Sequence, residues 1–166
     1  MIKHSAGFVV AAISALISGL AGAAREEHTF EVSLTIPGRA FFIVPAEPGW
    51  IHQAQRLHWD YPTSRLSSVR KYFDVRHDTS AIEARLESAA YLSNGRQSDD
   101  IPLRVSFNGV ELSPDMIPRQ VVTAEDAAAG TRVLLDIEPQ QPVNGYRAGD
   151  YRGNVMLLFN AKAPGA

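Results

Sequence analysis

Val105-Ser106-Phe107-Asn108-Gly109-Val110-Glu111-Leu112 reads as a β-hairpin from its residues alone. Asn-Gly between two alternating strands is the preferred pair for a type I′ turn, because both central positions need positive φ. A two-residue turn also sets the register. Phe107 must oppose Val110, and Val105 must oppose Leu112. All four apolar side chains then share one face, so turn chemistry and hydrophobic pattern agree.

The same period-two pattern extends in both directions from this hairpin. Leu103, Val105 and Phe107 alternate with Arg104 and Ser106. Ile82, Ala84 and Leu86 alternate with Glu83 and Arg85. Leu57, Trp59 and Tyr61 alternate with His58 and Asp60, and Tyr72 to Val75 is aromatic and β-branched. Val133, Leu135 and Ile137 form a further set, and Asn154 to Ala161 places Val155, Leu157, Phe159 and Ala161 on one face. Ala40 to Val44 is apolar on both faces and stops at Pro45. Asn94-Gly95 and Asn144-Gly145 are further turn candidates. Helix is scarce: Thr123 as cap, Ala124 to Ala129 and Gly130 as stop describe one or two turns. About eight strands at regular spacing predict an all-β sandwich.

Composition narrows the function classes. The chain has 166 residues, 45% hydrophobic and 20% charged, which suits one domain with a normal core. Its basic residues are scattered, so nucleic acid is not an expected partner. It has no cysteine, which removes a disulfide framework, a thiolate nucleophile and a Cys-type zinc site. The start has the layout of a secretory signal peptide. Lys3 and His4 precede an uncharged run, Gly7 to Leu20, that is shorter than the roughly 20 residues of a spanning helix. Ala21-Gly22-Ala23 supplies the small residues that signal peptidase needs, with cleavage expected after Ala23 or, as second choice, after Ala24. Loss of Lys3 would take the formal charge from -2 to -3.

Candidate chemistry is thin. None of His4, His28, His52, His58 and His77 sits in a trustworthy metal-ligand spacing. Asp99-Asp100 follows Asn94-Gly95 and reads as a solvated turn rather than a catalytic carboxylate pair. No nucleophile elbow, P-loop or dinucleotide fingerprint occurs. No metal, no cofactor and no enzymatic activity is therefore expected. Trp50 and Trp59 raise the alternative of a monomeric exported binding module for a carbohydrate or protein ligand. Trp59 lies in an alternating strand and reads as core, because large aromatics dominate sandwich interiors. Trp50 follows Pro48-Gly49 in a loop, and the sequence does not place it.

One more strand precedes the sandwich. In Thr29 to Ile36, Phe30, Val32, Leu34 and Ile36 alternate with Glu31, Ser33 and Thr35, and Pro37-Gly38 stops the run. The pattern alone fits an ordinary first strand as well as one that pairs with another chain.

Four stretches in order resemble the major subunits of alpha-type chaperone–usher fimbriae, the coli surface antigen, colonisation factor and cable pilus group. They are Phe30 to Pro37; Leu57 to Tyr61 with Tyr72 to Val75; Ile101 to Gly109; and Ala148-Gly149-Asp150-Tyr151-Arg152-Gly153-Asn154-Val155-Met156-Leu157-Leu158-Phe159. The last is the most specific. The resemblance implies an immunoglobulin-like β-sandwich lacking its last strand, with an N-terminal donor-strand extension. It implies a signal peptide over 1–23, a donor extension over 24–37 and the incomplete domain over 38–166. A periplasmic chaperone would fill the gap during export. The extension of the next identical subunit would replace the chaperone at an outer-membrane usher, giving a head-to-tail filament at the cell surface that carries a tip adhesin. The donor residues are then Phe30, Val32, Leu34 and Ile36, and the acceptor groove is lined by Val155, Leu157 and Phe159. No strand pattern follows Phe159 to fill that groove from within. Adhesins and chaperones of this group resemble two-domain proteins, for which the chain is too short.

Overall fold

The structure, a computed structural model, describes residues 41–162. The expected signal peptide, the donor extension, Pro37-Gly38 and Ala40 lie outside the described residues. The strands are β1 (Phe41–Pro45), β2 (Trp59–Asp60), β3 (Arg65–Leu66), β4 (Val69–His77), β5 (Ile82–Leu86), β6 (Tyr91–Leu92), β7 (Ile101–Phe107), β8 (Val110–Leu112), β9 (Arg119–Val122), β10 (Thr131–Pro139) and β11 (Leu157–Ala161). Among the described residues one α-helix, α1 (Ala124–Ala129), joins β9 to β10. Short 3-10 turns occupy Trp50–His52 and Gln97–Asp99.

The β7–β8 hairpin has the expected register, with Val105 opposite Leu112 and Phe107 opposite Val110. Asn108 and Gly109 sit at φ 52° and 76°, as a type I′ turn requires. The Asn108 side chain also donates to the Val121 carbonyl at 2.7 Å, tying the turn to β9. α1 starts where its cap predicts, with the Thr123 hydroxyl accepting from the Asp126 N–H at 3.1 Å, and it stops at Gly130 with φ 77°.

Two sheets enclose the core. The larger runs β1-β4-β10-β7-β6, with β8 also paired to β7, and the smaller runs β11-β5-β9. Every pairing among the described strands is antiparallel. Period-two alternation delivers Phe73 and Val75, Ile82, Ala84 and Leu86, Val105 and Phe107, and Val133 and Leu135 to one buried cluster.

Three expectations need correction. The strand expected over Leu57–Tyr61 shrinks to the two residues of β2, which pairs only with β3 and joins neither sheet. Trp59 is accordingly not core; it is 37% exposed and packs edge-on against Tyr146 at 5.2 Å. Trp50 is the one that turns inward, its ring edge-on to buried Phe73 at 5.5 Å. The last strand begins at Leu157 rather than Asn154, so Val155 lies just before it.

Candidate functional site: an open edge between the two sheets

The two sheets are unequal, and their shortfall lies on one side. β8 touches β9, and the Leu86 N–H donates to the Ser113 carbonyl at 2.9 Å, so the sandwich is closed where β7 and β8 approach β9. At the opposite end of the small sheet, β11 pairs with β5 and with no other strand among the described residues. At the corresponding end of the large sheet, β1 likewise pairs only with β4. Three strands therefore face a wider sheet; Phe73 and Val75 on the inner face of β4 are buried, but Phe41, Ile43 and Pro45 of β1 stay at least partly exposed. An unpaired strand edge presents free N–H and C=O groups to any extended segment that reaches it.

Both open strands offer apolar side chains to the gap. On β11, Leu157, Phe159 and Ala161 stand opposite Leu86, Ala84 and Ile82 of β5, which are all buried. Leu157 and Phe159 thus point inward, yet each stays only half-buried, as does Val155. On β1, Phe41, Ile43 and Pro45 stand opposite His77, Val75 and Phe73 and share their face. Phe41 is 41% exposed and rests on the His77 ring at 5.6 Å. The floor between them is aromatic. Phe159 packs on Phe107 at 4.9 Å, Phe107 on Phe73 at 5.7 Å, and Phe73 on Trp50. Leu157 and Phe159 share the inner face of β11, and Val155, just before the strand, packs against the same core. Phe30, Val32, Leu34 and Ile36 lie outside the described residues.

The segment leading into β11 is held by contacts that the sequence did not announce. The Tyr151 hydroxyl donates to the Arg147 carbonyl at 3.0 Å and accepts from the Asn94 side chain at 3.3 Å. The main chains of Ser93 and Arg152 exchange hydrogen bonds at 2.8 and 2.9 Å. A methyl group on Gly153 would overlap the Tyr91 carbonyl and come within 3.1 Å of the Leu92 side chain. Glycine there is a requirement of space. Asn94 also donates to the Asp99 carboxylate at 3.2 Å, and Ser98 does so at 3.0 Å. These two bonds hold the Asp99 carboxyl below its usual range, against the opposing effect of desolvation. Asp99 thus anchors a turn, while Oδ1 of Asp100 is buried without a partner among the described residues.

The outer face of the large sheet has a different chemistry. Arg132 lies opposite Asp74, Arg70 opposite Asp136 and Arg104 opposite Glu138, and each couple forms an ion pair. The Arg132 hydrogen bonds, at 2.7 and 3.0 Å, hold the Asp74 carboxyl below its ordinary value. No group of three or more metal-ligating side chains occurs among the described residues.

An all-β sandwich whose edge strand β11 keeps a half-buried apolar inner face, with no partner beyond β5 among the described residues, is the class of protein these features define. Residues 26–160 match the family described as CS1 type fimbrial major subunit, and the chain belongs to that family. It is thus a structural protein of a surface fimbrium, whose subunits associate with one another. Among solved structures it is similar to the CooA pilin subunit from enterotoxigenic Escherichia coli, at 19% identity with a TM-score of 0.53. The likeness covers 63% of this chain and 75% of that one, and it establishes a shared immunoglobulin-like fold. No curated protein sequence matches the chain.

Proposed function

We propose that this fimbrial subunit polymerises by strand donation. Residues 1–23 are removed on export, residues 24–37 supply the donor, and residues 38–166 form the acceptor. Phe30, Val32, Leu34 and Ile36 of one subunit insert along β11 of the next, over Val155, Leu157 and Phe159. The observation that carries this reading is the half-buried inner face of β11 beside an edge that has no partner among the described residues. An added strand would pair that edge and cover Leu157 and Phe159 at once. The contact is heterologous, so it propagates into a filament instead of closing into a dimer. An unpaired greasy edge is also an aggregation hazard, which gives a periplasmic chaperone its task before an outer-membrane usher hands the subunit on. The finished fibre extends from the surface with a tip adhesin and supports adhesion. The rival reading, a monomeric binding module around Trp50, has lost its anchor, since that ring packs on Phe73.

Val32→Asp and Ser33→Asp separate the readings. Expressed with the secretion machinery, Val32→Asp should abolish the ladder of polymers seen in unheated denaturing gels. Ser33→Asp, on the opposite face of the same strand, should leave most of it. Equal ladders from the two variants would show that the segment does not insert one-sidedly and would end the proposal.

A further inference from the structure

Met116 and Ile117 are neighbours in the turn between β8 and β9, and they are 81% and 82% exposed. Single exposed apolar residues are ordinary. Two in succession do nothing for the subunit's own core. The turn that carries them is braced. Pro114 and Pro118 bracket the pair, and each fixes one backbone angle. The Ser113 hydroxyl donates to the Asp115 carboxylate at 2.7 Å, and the Arg119 guanidinium donates to the Glu111 carbonyl at 3.1 Å. Side chains presented by an ordered turn lose little further freedom when a contact buries them.

Strand registers place this turn at one end of the sandwich. β1 begins at Phe41, opposite His77. Phe107 is level with Leu135 and Lys71, and Leu112 is level with Val105, Ile137 and Val69. β8 therefore runs away from the end where β1 begins. The Leu86 N–H meets the Ser113 carbonyl, so β5 finishes at this far end too. β11 starts beside it, with Leu157 opposite Leu86 and the Glu87 N–H donating to the Met156 carbonyl at 3.0 Å. Residues 113–118 and the start of β11 thus share the far end, where Met156 is itself exposed.

Strand donation adds a constraint of reach. An inserted strand that is antiparallel to β11, like every pairing among the described strands, runs toward the far end and finishes there with Ile36. Residues 37–40 then lead to Phe41 of the donating domain. Five Cα steps span at most about 18 Å. From β11 across β5 to β9 is two strand spacings, roughly 10 Å. A domain of this size has a radius of gyration of about 14 Å, so its end covers that distance. The end that faces the acceptor is the one where β1 begins, and there Phe41 lies exposed on the His77 ring. We propose that Met116 and Ile117 bury against the β1 end of the donating subunit, around Phe41 and the turn after His77. The occupant is a second copy of this chain, and the proposal rests on the strand-donation reading. An inserted strand alone does not fix the angle between two domains, whereas an end-to-end contact does.

A benzophenone side chain placed at position 117 of the full mature chain, photoactivated in assembled polymers, maps the neighbour. Mass spectrometry should join it to residues 41–45 or 77–82 of another subunit. Adducts to any other segment, or none between subunits, would overturn the proposal and leave strand donation standing. Parallel insertion, which puts the donating domain at the other end, gives that second result. Met116→Ser combined with Ile117→Ser supplies the energetic test. The monomer midpoint should stay the same, because both side chains are exposed in the single subunit. The gel ladder should persist, because the donor strand is intact. Polymers should dissociate in guanidinium about tenfold faster, the scale of one apolar side chain partly buried at the joint. A wild-type dissociation rate would overturn the proposal. A ladder that survives Val32→Asp would instead sink strand donation, and this contact with it.

Discussion

β5 and β11 are neighbours with the same alternating pattern, and they end up differently. Ile82, Ala84 and Leu86 of β5 are at most 3% exposed. Their direct partners across the ladder, Ala161, Phe159 and Leu157, are exposed or half-buried. The inward face is apolar in both cases. What differs is flanking: among the described residues β5 lies between β11 and β9, whereas β11 has β5 on one side only. Burial in a sandwich comes from the strand above and from the strands alongside. A strand at an open edge keeps part of its hydrophobic stabilisation in reserve for whatever pairs with it.

The largest expected effect tests that difference within one aromatic contact. Phe107 is fully buried between Phe73 and Phe159. Phe107→Ala should cost the isolated subunit about 3–5 kcal/mol, the range for truncating a buried aromatic ring. Phe159→Ala removes the other half of the same pair from a half-exposed site. It should cost the isolated subunit less than half as much, and should destabilise the polymer by more than it destabilises the monomer. Guanidinium unfolding of monomer and polymer reads both quantities. A monomer penalty at Phe159 equal to that at Phe107 would mean that the edge is already covered.

Local rules carried much of the fold. The Asn108-Gly109 hairpin, α1 between Thr123 and Gly130, and the alternation in β5, β7 and β10 depend on neighbours in sequence, so they could be read directly. The alternation of Leu157 and Phe159 marked the inward face of β11 in the same way. Elements set by distant contacts could not. β9 buries the consecutive residues Val121 and Val122 beside an irregularity in its pairing with β5, so it shows no period two. Trp59 alternates like a core residue but sits on a hairpin attached to neither sheet. Trp50 looked like a loop aromatic because its partner, Phe73, is far along the chain. The start of β11 at Leu157 was misjudged for a similar reason. Asn154 and Val155 continue the alternation, but Gly153 is locked against Tyr91, and the strand starts only beyond that crossing.

That crossing supplies the intermediate prediction. Gly153→Ala pushes a methyl group into the Tyr91 main chain, which cannot yield as a side-chain tip can. The cost should be about 1–3 kcal/mol, typical of overpacking. Gly149→Ala brings its methyl group to 3.4 Å from the Asn94 side chain, a flexible neighbour, and should cost clearly less. Comparable midpoints for the two variants would show that the segment entering β11 is not held at Tyr91. The edge strand would then be less firmly positioned than β5 in a second respect.

The smallest effect belongs to the outer face, where charge replaces apolar surface. Asp74 is hydrogen-bonded by Arg132, which keeps its native carboxyl below the ordinary carboxylate range. The native state therefore binds this proton less readily than the unfolded chain does. The resulting stabilisation is fully present above the ordinary carboxylate pKa and fades as pH falls through the depressed native value. Asp74→Asn should lower the unfolding midpoint slightly at neutral pH, by less than either glycine variant. The difference should shrink with added salt, because the pair is solvent-exposed. It should vanish in acid, well below the usual range of about 3.5–4.5, as wild type and variant converge. A difference that persists there would assign the effect to something other than the Arg132 pair. Polymer dissociation, which strand donation as proposed would assign to the apolar edge of β11, should be the same for both proteins at every pH where the subunit is folded.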